Sequence, residues 1–480
     1  EKMFGKKIIN SFEQIKDSFD KKNLLNPHKI VRPFKSDDRS LMRYKSGYKA
    51  ENISTHYDWS SWGQFSDAVE MCNNNGACRK LDSGVMCPSY RVTKEEKDLV
   101  RGRANTLRLA LSNQLPKDSF VSKDMFETME LCVSCKACQR ECPMSVDMAK
   151  MKSEFLSHYY RKFYMSLKDR VISNMPKLIW LLKISNPMIN ILNKLPIFSQ
   201  MIEWFGFSSK RSLPVVENQE PLKEIYNDQV NLEKKVILFA DTFNINFEIK
   251  NLMYAIKVLN KFGYQAIIPS FQNDNLDRPL CCGRTYISLG QLDKAKMELE
   301  RFTKYVSDNG YNELPVVGIE PSCLLTFNDE FKSFSHLKNR SKIKNEFFLL
   351  EEFVLNEIKN GNKIKYKDFN KNVLIHGHCH QKSQNRVRGL TNLLNELKIK
   401  NSMIESSCCG MAGSFGYSSK HFEVSKKMAY LSLIPAINNS TEQDYLVANG
   451  TSCRHQISDF SNKKPKHISE LLFNLFETIN

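Results

Sequence analysis

The sequence predicts a multidomain α + α/β fold, in which a helical domain rich in cysteine precedes two repeated α/β units. Three observations lead to this prediction. The chain has 480 residues, enough for more than one domain. Seven cysteines lie close together between residues 72 and 142, where the pattern is helical. From residue 234 onwards, short apolar runs alternate with helical patterns, which is typical of layers built on mainly parallel strands.

The order of these patterns divides the chain into five parts. The first part is residues 1–34, within which residues 9–34 have the pattern of an amphipathic helix followed by an Asn-Pro turn, with no core of their own. Residues 35–165 form the helical cysteine-rich domain, and residues 166–232 form a helical linker interrupted by proline. The first α/β unit spans residues 233–370 and the second spans residues 371–480.

The two α/β units have the features of an internal repeat. We expect strands within 234–241, 264–270, 315–323, 371–380, 401–410 and 444–453. In each unit a Cys-Cys-Gly triplet follows one strand, and a Ser-Cys pair ends a later strand. Because the carboxyl ends of parallel strands meet at one edge of a sheet, we expect these thiols to converge there.

Composition and charge exclude some classes of function and favour others. The net charge is +17, but lysine is spread along the whole chain and no basic run with interleaved aromatics occurs, so we do not expect nucleic acid as a partner. A weak attraction to an anionic membrane surface fits the charge better. The most apolar stretch, 175–198, is interrupted by lysine and proline, so we expect no membrane-spanning helix and no secretory signal. The 14 cysteines form short-spaced clusters, which indicates a metal framework in the reducing cytoplasm.

The stretch LCVSCKACQRECP carries the most specific motif of the chain. It places Cys132, Cys135, Cys138 and Cys142 at the spacing C-x2-C-x2-C-x3-C, followed by proline. In bacterial two-cluster ferredoxins, three thiolates of such a run bind one [4Fe-4S] cluster and the fourth binds the other cluster. The motif therefore predicts a helical ferredoxin-type domain and requires a second set of thiols.

Residues 71–90 supply that second set as Cys72, Cys78 and Cys87. By the crossing rule, Cys87 completes the cluster of Cys132, Cys135 and Cys138, and Cys142 completes the cluster of Cys72 and Cys78. The second site lacks one thiolate, because Asn75 stands where a further cysteine would belong. This C-x5-C arrangement resembles the [3Fe-4S] motif of succinate dehydrogenase iron–sulfur subunits. A [3Fe-4S] cluster and a [4Fe-4S] cluster with a non-thiolate ligand both remain open.

Together these motifs resemble one family. MCNNNGACRK, GVMCPSYRVTKEE, RPLCCGRTYISLG, HGHCHQKS, CCGMAGSFGY and NGTSCRHQI are similar to the C-terminal half of the large bacterial FAD/iron–sulfur 2-hydroxyacid dehydrogenases, above all the D-2-hydroxyglutarate dehydrogenase type. Residues 12–31 resemble the closing segment of an FAD-linked oxidase domain, with His28 where glycine is usual. We therefore interpret residues 1–34 as the end of that domain.

The resemblance implies a function for the whole protein. A flavin domain oxidises a D-2-hydroxyacid, most simply D-2-hydroxyglutarate, with D-lactate and glycolate as alternatives. The iron–sulfur half then passes the electrons to an acceptor such as a quinone, in the cytoplasm or at the inner face of the membrane. On this interpretation the chain is a fragment or a separate subunit, is inactive alone, and contains no FAD-binding or catalytic residue that can be named. A non-catalytic scaffold that holds zinc through cysteine is the alternative from another class.

The thiols of the α/β units have less specific spacing. In the second unit, Cys379, Cys408, Cys409 and Cys453 leave three interpretations open: an iron–sulfur cluster, Zn²⁺ with His378 or His380 as a further ligand, or no metal. We expect His376, His378 and His380 to face one side of a strand end. In the first unit we expect Cys281, Cys282 and Cys323 to be structural, with Asp241 a weaker candidate for a fourth ligand.

Overall fold

The computed structural model divides the chain into two compact units, Glu1–Glu51 and Asn52–Asn480. It describes residues 1–44, 47–82, 84–194, 199–229, 232–271, 276, 278–337, 343–362 and 364–476. The first unit contains helix α1 (Gly5–Phe19), which ends where the Asp20 carboxylate accepts hydrogen bonds from the backbone N–H groups of Leu24 and Leu25. The predicted helix and the turn after it are thus present, although the helix begins four residues earlier than the predicted segment. The five-part division of the chain stays a prediction.

Helices make up the regular structure of the second unit before its first sheet. They are α2 (Phe65–Glu70), α3 (Pro88–Thr93), α4 (Val100–Leu111), α5 (Lys123–Glu130), α6 (Ala137–Glu141), α7 (Met148–Lys162), α8 (Leu167–Ser173), α9 (Met175–Ile184), α10 (Asn186–Lys194), α11 (Ser199–Trp204) and α12 (Glu220–Asn227). Proline stands in the first turn of α3, α9 and α12, where its missing N–H costs no hydrogen bond. The helical character predicted for this part of the chain is confirmed.

The first sheet has four parallel strands in the order β2-β1-β3-β4. They are β1 (Lys234–Phe239), β2 (Tyr264–Ile267), β3 (Val316–Gly318) and β4 (Phe347–Leu349). The intervening helices are α13 (Thr242–Phe247), α14 (Ile249–Lys261), α15 (Arg284–Ser288), α16 (Leu292–Asp308), α17 (Pro321–Asn328), α18 (Glu330–Ser333) and α19 (Leu350–Lys359). Strand β4 was not predicted.

The second sheet has three parallel strands in the order β6-β5-β7. They are β5 (Val373–Ile375), β6 (Asn401–Met403) and β7 (Tyr445–Val447). The helices of this part are α20 (Cys379–Ser383), α21 (Val387–Glu396), α22 (Phe422–Tyr430), α23 (Leu433–Asn438), α24 (Thr451–Phe460) and α25 (Ile468–Leu475). The predicted α/β character and parallel pairing are confirmed for both sheets.

Both sheets place their first strand in the centre, the second strand on one side and the third on the other. In both, Cys-Cys-Gly follows the second strand, and the Ser-Cys pair follows the third. This correspondence supports the internal repeat, which stays a prediction. The extra strand β4 makes the first sheet larger than the second.

Strand β1 shows how the two hydrophobic cores are arranged. Val236 and Leu238 point to one face and belong to a core that also contains Val373 and Ile375 of the second sheet, so that both sheets share it. Ile237 and Phe239 point to the opposite face and belong to a core that contains the cysteines of the helical part. The α/β units therefore pack directly against the cysteine-rich helices.

The strands end earlier than the sequence pattern predicted. Cys323, Cys379 and Cys453 lie in the first turns of α17, α20 and α24 rather than at strand ends. The physical reason is local capping: the Glu320 side chain accepts from the backbone N–H of Ser322, and His378 accepts from that of His380, which starts a helix at each point. The expected alternation of His376, His378 and His380 along a strand is therefore wrong.

None of the helices in the described part of the chain is long and apolar enough to cross a membrane.

Candidate metal centres

Four cysteines from two distant segments line one small cavity in the helical part. They are Cys87, Cys132, Cys135 and Cys138. The volume of this cavity is ≈ 330 Å³, which includes space open to solvent. All four are free thiols, and no disulfide occurs among the described residues. The structure thus brings together the four residues that the sequence assigned to one cluster.

The loop between Cys132 and Cys138 has an unusual backbone. Ser134 and Lys136 have φ values of 50° and 60°, in the left-handed region that residues other than glycine rarely adopt. Alternation of left-handed and ordinary residues turns successive N–H groups towards a common point, as in anion-binding nests. The backbone N–H groups of Ala137 and Val100 donate hydrogen bonds to the sulfurs of Cys135 and Cys87. The loop is therefore shaped to surround a group that carries negative charge.

Burial makes these thiols poor thiolates on their own. It raises the pKa of Cys87 to about 12 and raises the pKa of Cys135 and Cys138 well above the usual range. Bound iron would offset this cost, because metal coordination favours the deprotonated thiol. Four buried thiols around one cavity, with backbone donors aimed at the sulfur atoms, fit a [4Fe-4S] cluster.

A buried network of charges holds this loop against the first α/β unit. The Nζ atom of Lys136, whose side chain is 1% exposed, lies 2.6 Å from Asp329 Oδ2 and also contacts Glu330. Glu330 in turn pairs with Arg284, the residue that follows the first Cys-Cys-Gly triplet. The nearby cations hold the pKa of Asp329 well below its usual range despite burial. The network fixes the position of the loop relative to helices α15 and α18.

The predicted three-thiolate site lies around the turn that contains Asn75. Cys72 and Cys78 are buried and close enough to influence each other electrostatically. Burial raises the pKa of Cys78 in spite of a hydrogen bond from the backbone N–H of Arg101. Cys142 ends helix α6, which packs against the turn that carries Cys78. This arrangement is compatible with the predicted set of three thiols, whose assignment stays a prediction.

The side chain of Asn75 makes local hydrogen bonds that do not suit a ligand of the cluster. Its Oδ1 atom accepts a hydrogen bond of 2.8 Å from the backbone N–H of Ala77, and its amide group donates to Asn73. The neighbouring Asn74 is nearer to the thiols, since the sulfur of Cys72 lies 3.8 Å from Asn74 Oδ1. The amide of Asn105 also donates to that oxygen over 2.7 Å. Sequence spacing pointed to position 75, whereas the fold places the amide of position 74 beside a thiol.

The second α/β unit gathers its four cysteines at the carboxyl edge of its sheet. Cys408 hydrogen-bonds to Cys379 and to Cys409, and Cys409 also hydrogen-bonds to Cys453. The ligand atoms of His376, Cys409 and Cys453 all lie within 4.8 Å of one another, a spacing suitable for one metal ion. All five side chains are buried.

Hydrogen bonds and a buried cation favour deprotonation of two of these thiols, whereas the pKa of Cys408 and of Cys453 is raised well above its usual range. The hydrogen bond from Cys408 lowers the pKa of Cys379 to about 6, and hydrogen bonds from Cys408 and Cys453 lower the pKa of Cys409 well below its usual range. Lys382 faces the same cysteines, while its Nζ atom donates to the backbone oxygen of Ser406 over 2.7 Å. This donor set fits either an iron–sulfur cluster or Zn²⁺.

His376 is the residue of this site that the sequence did not identify as a possible ligand. The predicted additional zinc ligands were His378 and His380, but the group of possible ligands found among the described residues contains His376 instead. His378 caps helix α20, and the Nε2 atom of His380 lies 3.1 Å from the backbone oxygen of Ser134. Strand β5 ends at Ile375, so that His376, and not His378 or His380, points to the thiols. The sequence pattern does not show where this strand ends.

The first α/β unit has three cysteines in a similar place. Cys282 hydrogen-bonds to Cys281 and to Cys323, and all three are buried. Asp241 accepts hydrogen bonds from the backbone N–H groups of Phe243 and Asn244 and so begins helix α13. Burial, together with the charge of Glu320, raises the pKa of Asp241 to about 7. The capping role of this carboxylate supports the structural interpretation of this site.

The four-thiol cavity adjoins the second α/β unit. Among the charged groups near Cys135, Cys379 has the largest effect. It raises the pKa of Cys135 further above its usual range. Two hydrogen bonds join the same segments: His380 with the backbone of Ser134, and Arg140 Nη1 with the backbone oxygen of Lys382 over 2.6 Å. The cluster loop and the cysteines of the second unit are therefore direct neighbours.

A larger cavity of ≈ 1380 Å³, which includes space open to solvent, lies beside these thiols. Cys379, Cys408 and Cys409 form part of its wall, and Ser134 of the cluster loop forms another part. Much of the remaining lining is apolar and comes from four stretches of chain. These residues are Ile172, Met175, Phe207, Leu213, Pro214, Phe243, Phe247 and Leu289. Tyr417 and His455, which are hydrogen-bonded over 2.8 Å, supply polar groups.

Comparison with known proteins agrees with this geometry. Residues 68–146 match the model of the 4Fe-4S dicluster domain, and residues 373–458 match that of a cysteine-rich domain. The resemblance to the FAD/iron–sulfur 2-hydroxyacid dehydrogenases is confirmed. The D-2-hydroxyglutarate dehydrogenases of Pantoea ananatis and Escherichia coli are 24% and 21% identical over 98% and 99% of this chain. The chain spans 49% and 50% of their lengths.

A second kind of relative covers the chain less completely. One subunit of the anaerobic glycerol-3-phosphate dehydrogenase of Escherichia coli is 22% identical over 60% of this chain and 71% of its own length. Both kinds of relative are named as dehydrogenases or dehydrogenase subunits, which supports an iron–sulfur electron-transfer role for this chain.

Proposed function

We propose that this chain is the electron-transfer half of a flavin-dependent D-2-hydroxyacid dehydrogenase that acts on D-2-hydroxyglutarate and delivers electrons to a quinone. The substrate follows the names of the relatives that match nearly the whole chain. The single observation that carries the proposal is the contact between the loop of the four-thiol cavity and helix α20 of the second α/β unit, where His380 bonds to the backbone of Ser134 and α20 packs against α6.

The contact supports a continuous order of redox sites. We assign Cys87, Cys132, Cys135 and Cys138 to a [4Fe-4S] cluster, and Cys72, Cys78 and Cys142 to a second cluster of the [3Fe-4S] or [4Fe-4S] type. Cys379, Cys408, Cys409 and Cys453 hold a third centre, with His376 beside it. When bound, these groups supply one-electron carriers between a flavin and the acceptor.

The protein side chains orient these groups and adjust their charge. Lys136 and Lys382 place buried positive charge beside the first and third centres, which favours added electrons there. The ring of His380 and the guanidinium of Arg140 hold the cluster loop against helix α20. The electron balance closes with two electrons and two protons released by the hydroxyacid and the same number taken up when the quinone becomes a quinol.

The larger cavity is the proposed site of the acceptor. Its apolar lining suits a quinone ring and tail, and the hydroxyl group of Tyr417 is placed to interact with a quinone oxygen. The thiols of Cys379 and Cys408 in its wall place the third centre next to that ring. On this proposal the electrons leave the chain at the second α/β unit.

An anaerobic reduction experiment tests the proposal. The chain, purified without oxygen, should show broad visible absorption that bleaches with dithionite, which takes the place of the flavin as reductant. Addition of a water-soluble quinone should restore the absorption, with one quinol formed for every two electrons. A colourless chain that contains only zinc would support the scaffold alternative, and a reduced chain that no quinone reoxidises would exclude the proposed acceptor.

A further inference from the structure

Helices α8, α9 and α10 expose an apolar surface that the proposed electron path does not use. Its described members are exposed by 38% to 70% of their area. They are Leu167, Val171, Trp180, Leu181, Ile184, Met188 and Ile191. Helix α9 has the sequence MPKLIWLLKI, and not one of its ten residues, all of them described, is buried. Contiguous apolar surface of this kind marks an interaction site.

Lys168 and Asp169 at the start of α8 form an ion pair, and the charged residues that follow them along this surface are all basic. Between Arg170 and Ile202 the sequence contains Arg170, Lys177, Lys183 and Lys194 and no aspartate or glutamate. Two tryptophans, Trp180 and Trp204, are exposed by 58% and 79%. Apolar side chains, exposed tryptophan and unopposed basic residues together match the interface of an anionic bilayer.

One end of this surface is fixed to the body of the protein. Ile172 and Ser173 of α8 are buried, and α8 packs against α15, the helix that follows the first Cys-Cys-Gly triplet. Ile172 and Met175 also line the larger cavity together with Cys379 and Cys408. The same helices thus contribute to the cavity wall and to the exposed surface.

We infer that helices α8–α10 form an interfacial docking surface for an anionic membrane. The helices lie along the bilayer surface, with Trp180, Ile184 and Met188 in the lipid interface and Lys177 and Lys183 against the anionic headgroups. This placement also brings the wall of the cavity to the lipid, where a lipid-soluble acceptor is dissolved. That last step rests on the proposed function, whereas the docking itself does not.

Vesicle flotation tests the docking. The intact chain with its clusters is mixed with vesicles of phosphatidylcholine alone or of phosphatidylcholine with phosphatidylglycerol. We expect the chain to float with the anionic vesicles, at least tenfold less with the neutral ones, and less at high salt. Trp180→Ser with Ile184→Ser should weaken flotation at least tenfold. The matched control, Met297→Ser with Tyr430→Ser, alters side chains that are 60% and 45% exposed elsewhere and should float normally.

Fluorescence identifies the surface that meets the lipid. Vesicles with brominated acyl chains should quench the tryptophan emission of the bound chain. Replacement of Trp180 and Trp204 by Phe should remove this quenching, whereas Trp62→Phe, at a residue that is 41% exposed in another part of the chain, should leave it unchanged.

Other outcomes overturn the inference. Equal flotation with neutral and anionic vesicles, or normal flotation of the Trp180→Ser, Ile184→Ser variant, excludes docking by this surface. If those substitutions instead convert a dimer in solution to a monomer, the surface binds a second copy of the chain. A chain that floats but is not reoxidised by quinone contradicts the proposed function only, and a chain that a soluble quinone reoxidises but that does not float contradicts the docking only.

Discussion

At the scale of single residues, the cluster assignment depends on Cys87, which is distant in sequence from the motif that it completes. Cys87 shares a cavity with Cys132, Cys135 and Cys138. We expect Cys87→Ser and Cys135→Ser to remove the same electron paramagnetic resonance signal, because each takes one ligand from the same cluster. Cys72→Ser should remove a different signal. Cys323→Ser is the control, since this buried thiol lies in the first α/β unit and should leave both signals present.

If Cys87→Ser and Cys72→Ser affect one signal while Cys135→Ser affects another, the crossing assignment is wrong. Iron content measured on the same samples separates the loss of a cluster from a change in its spectrum.

At the scale of elements, the cluster loop before α6 is joined to α18 through one buried lysine. Lys136→Met leaves the carboxylates of Asp329 and Glu330 with one cation fewer in a buried site. We expect the free energy of unfolding to fall by about 3–5 kcal/mol, the usual cost of removing one partner from a buried ion pair. Lys304→Met removes an exposed pair with Asp308 and should cost less than about 1 kcal/mol in the same urea titration.

The lysine also places positive charge near the four-thiol cavity. Its loss should lower the reduction potential of that cluster, because the added electron meets less compensating charge. An unchanged stability and an unchanged potential in Lys136→Met would show that the ion pair neither fixes the loop nor influences the cluster.

At the scale of the whole molecule, Glu351 of α19 links the two α/β units. Its Oε1 atom accepts hydrogen bonds of 2.8 and 2.9 Å from the side chains of Gln381 and Asn449. Burial, with a smaller effect from Glu352, raises the pKa of Glu351 to about 8. The folded chain therefore holds a proton that the unfolded chain releases above its ordinary pKa near 4.5. Stability should fall as the pH rises from 4.5 to about 8, by at most about 1.4 kcal/mol per pH unit for this proton.

Glu351→Gln keeps the shape of the neutral side chain and removes the titration. We expect the variant to match the parent near pH 5 and to exceed it in stability at pH 8, in urea titrations of both proteins at each pH. Glu313→Gln, at a side chain that is 77% exposed, is the control and should follow the parent at both values. A constant difference between Glu351→Gln and the parent would show that the carboxyl group does not titrate in this range.

The sequence alone was enough to predict the helical and α/β parts of the fold and the four cysteines that line the small cavity. The spacing of Cys132, Cys135 and Cys138 is local, and a loop of this length can surround only one centre, so this motif predicted most of the site. The alternation of strands and helices predicted parallel sheets, because apolar runs such as residues 236–239 must be buried on both faces. Both predictions needed only short stretches of chain.

Only the tertiary structure decided which groups from distant segments meet. His376 rather than His378 joins Cys409 and Cys453, because strand β5 ends at Ile375 and a helix begins at Cys379. The hydrogen bond of His380 with Ser134, and the pairing of Lys136 with Asp329, join residues about 200 or more positions apart. Such contacts depend on how whole elements pack, and no periodicity or spacing along the chain records that packing.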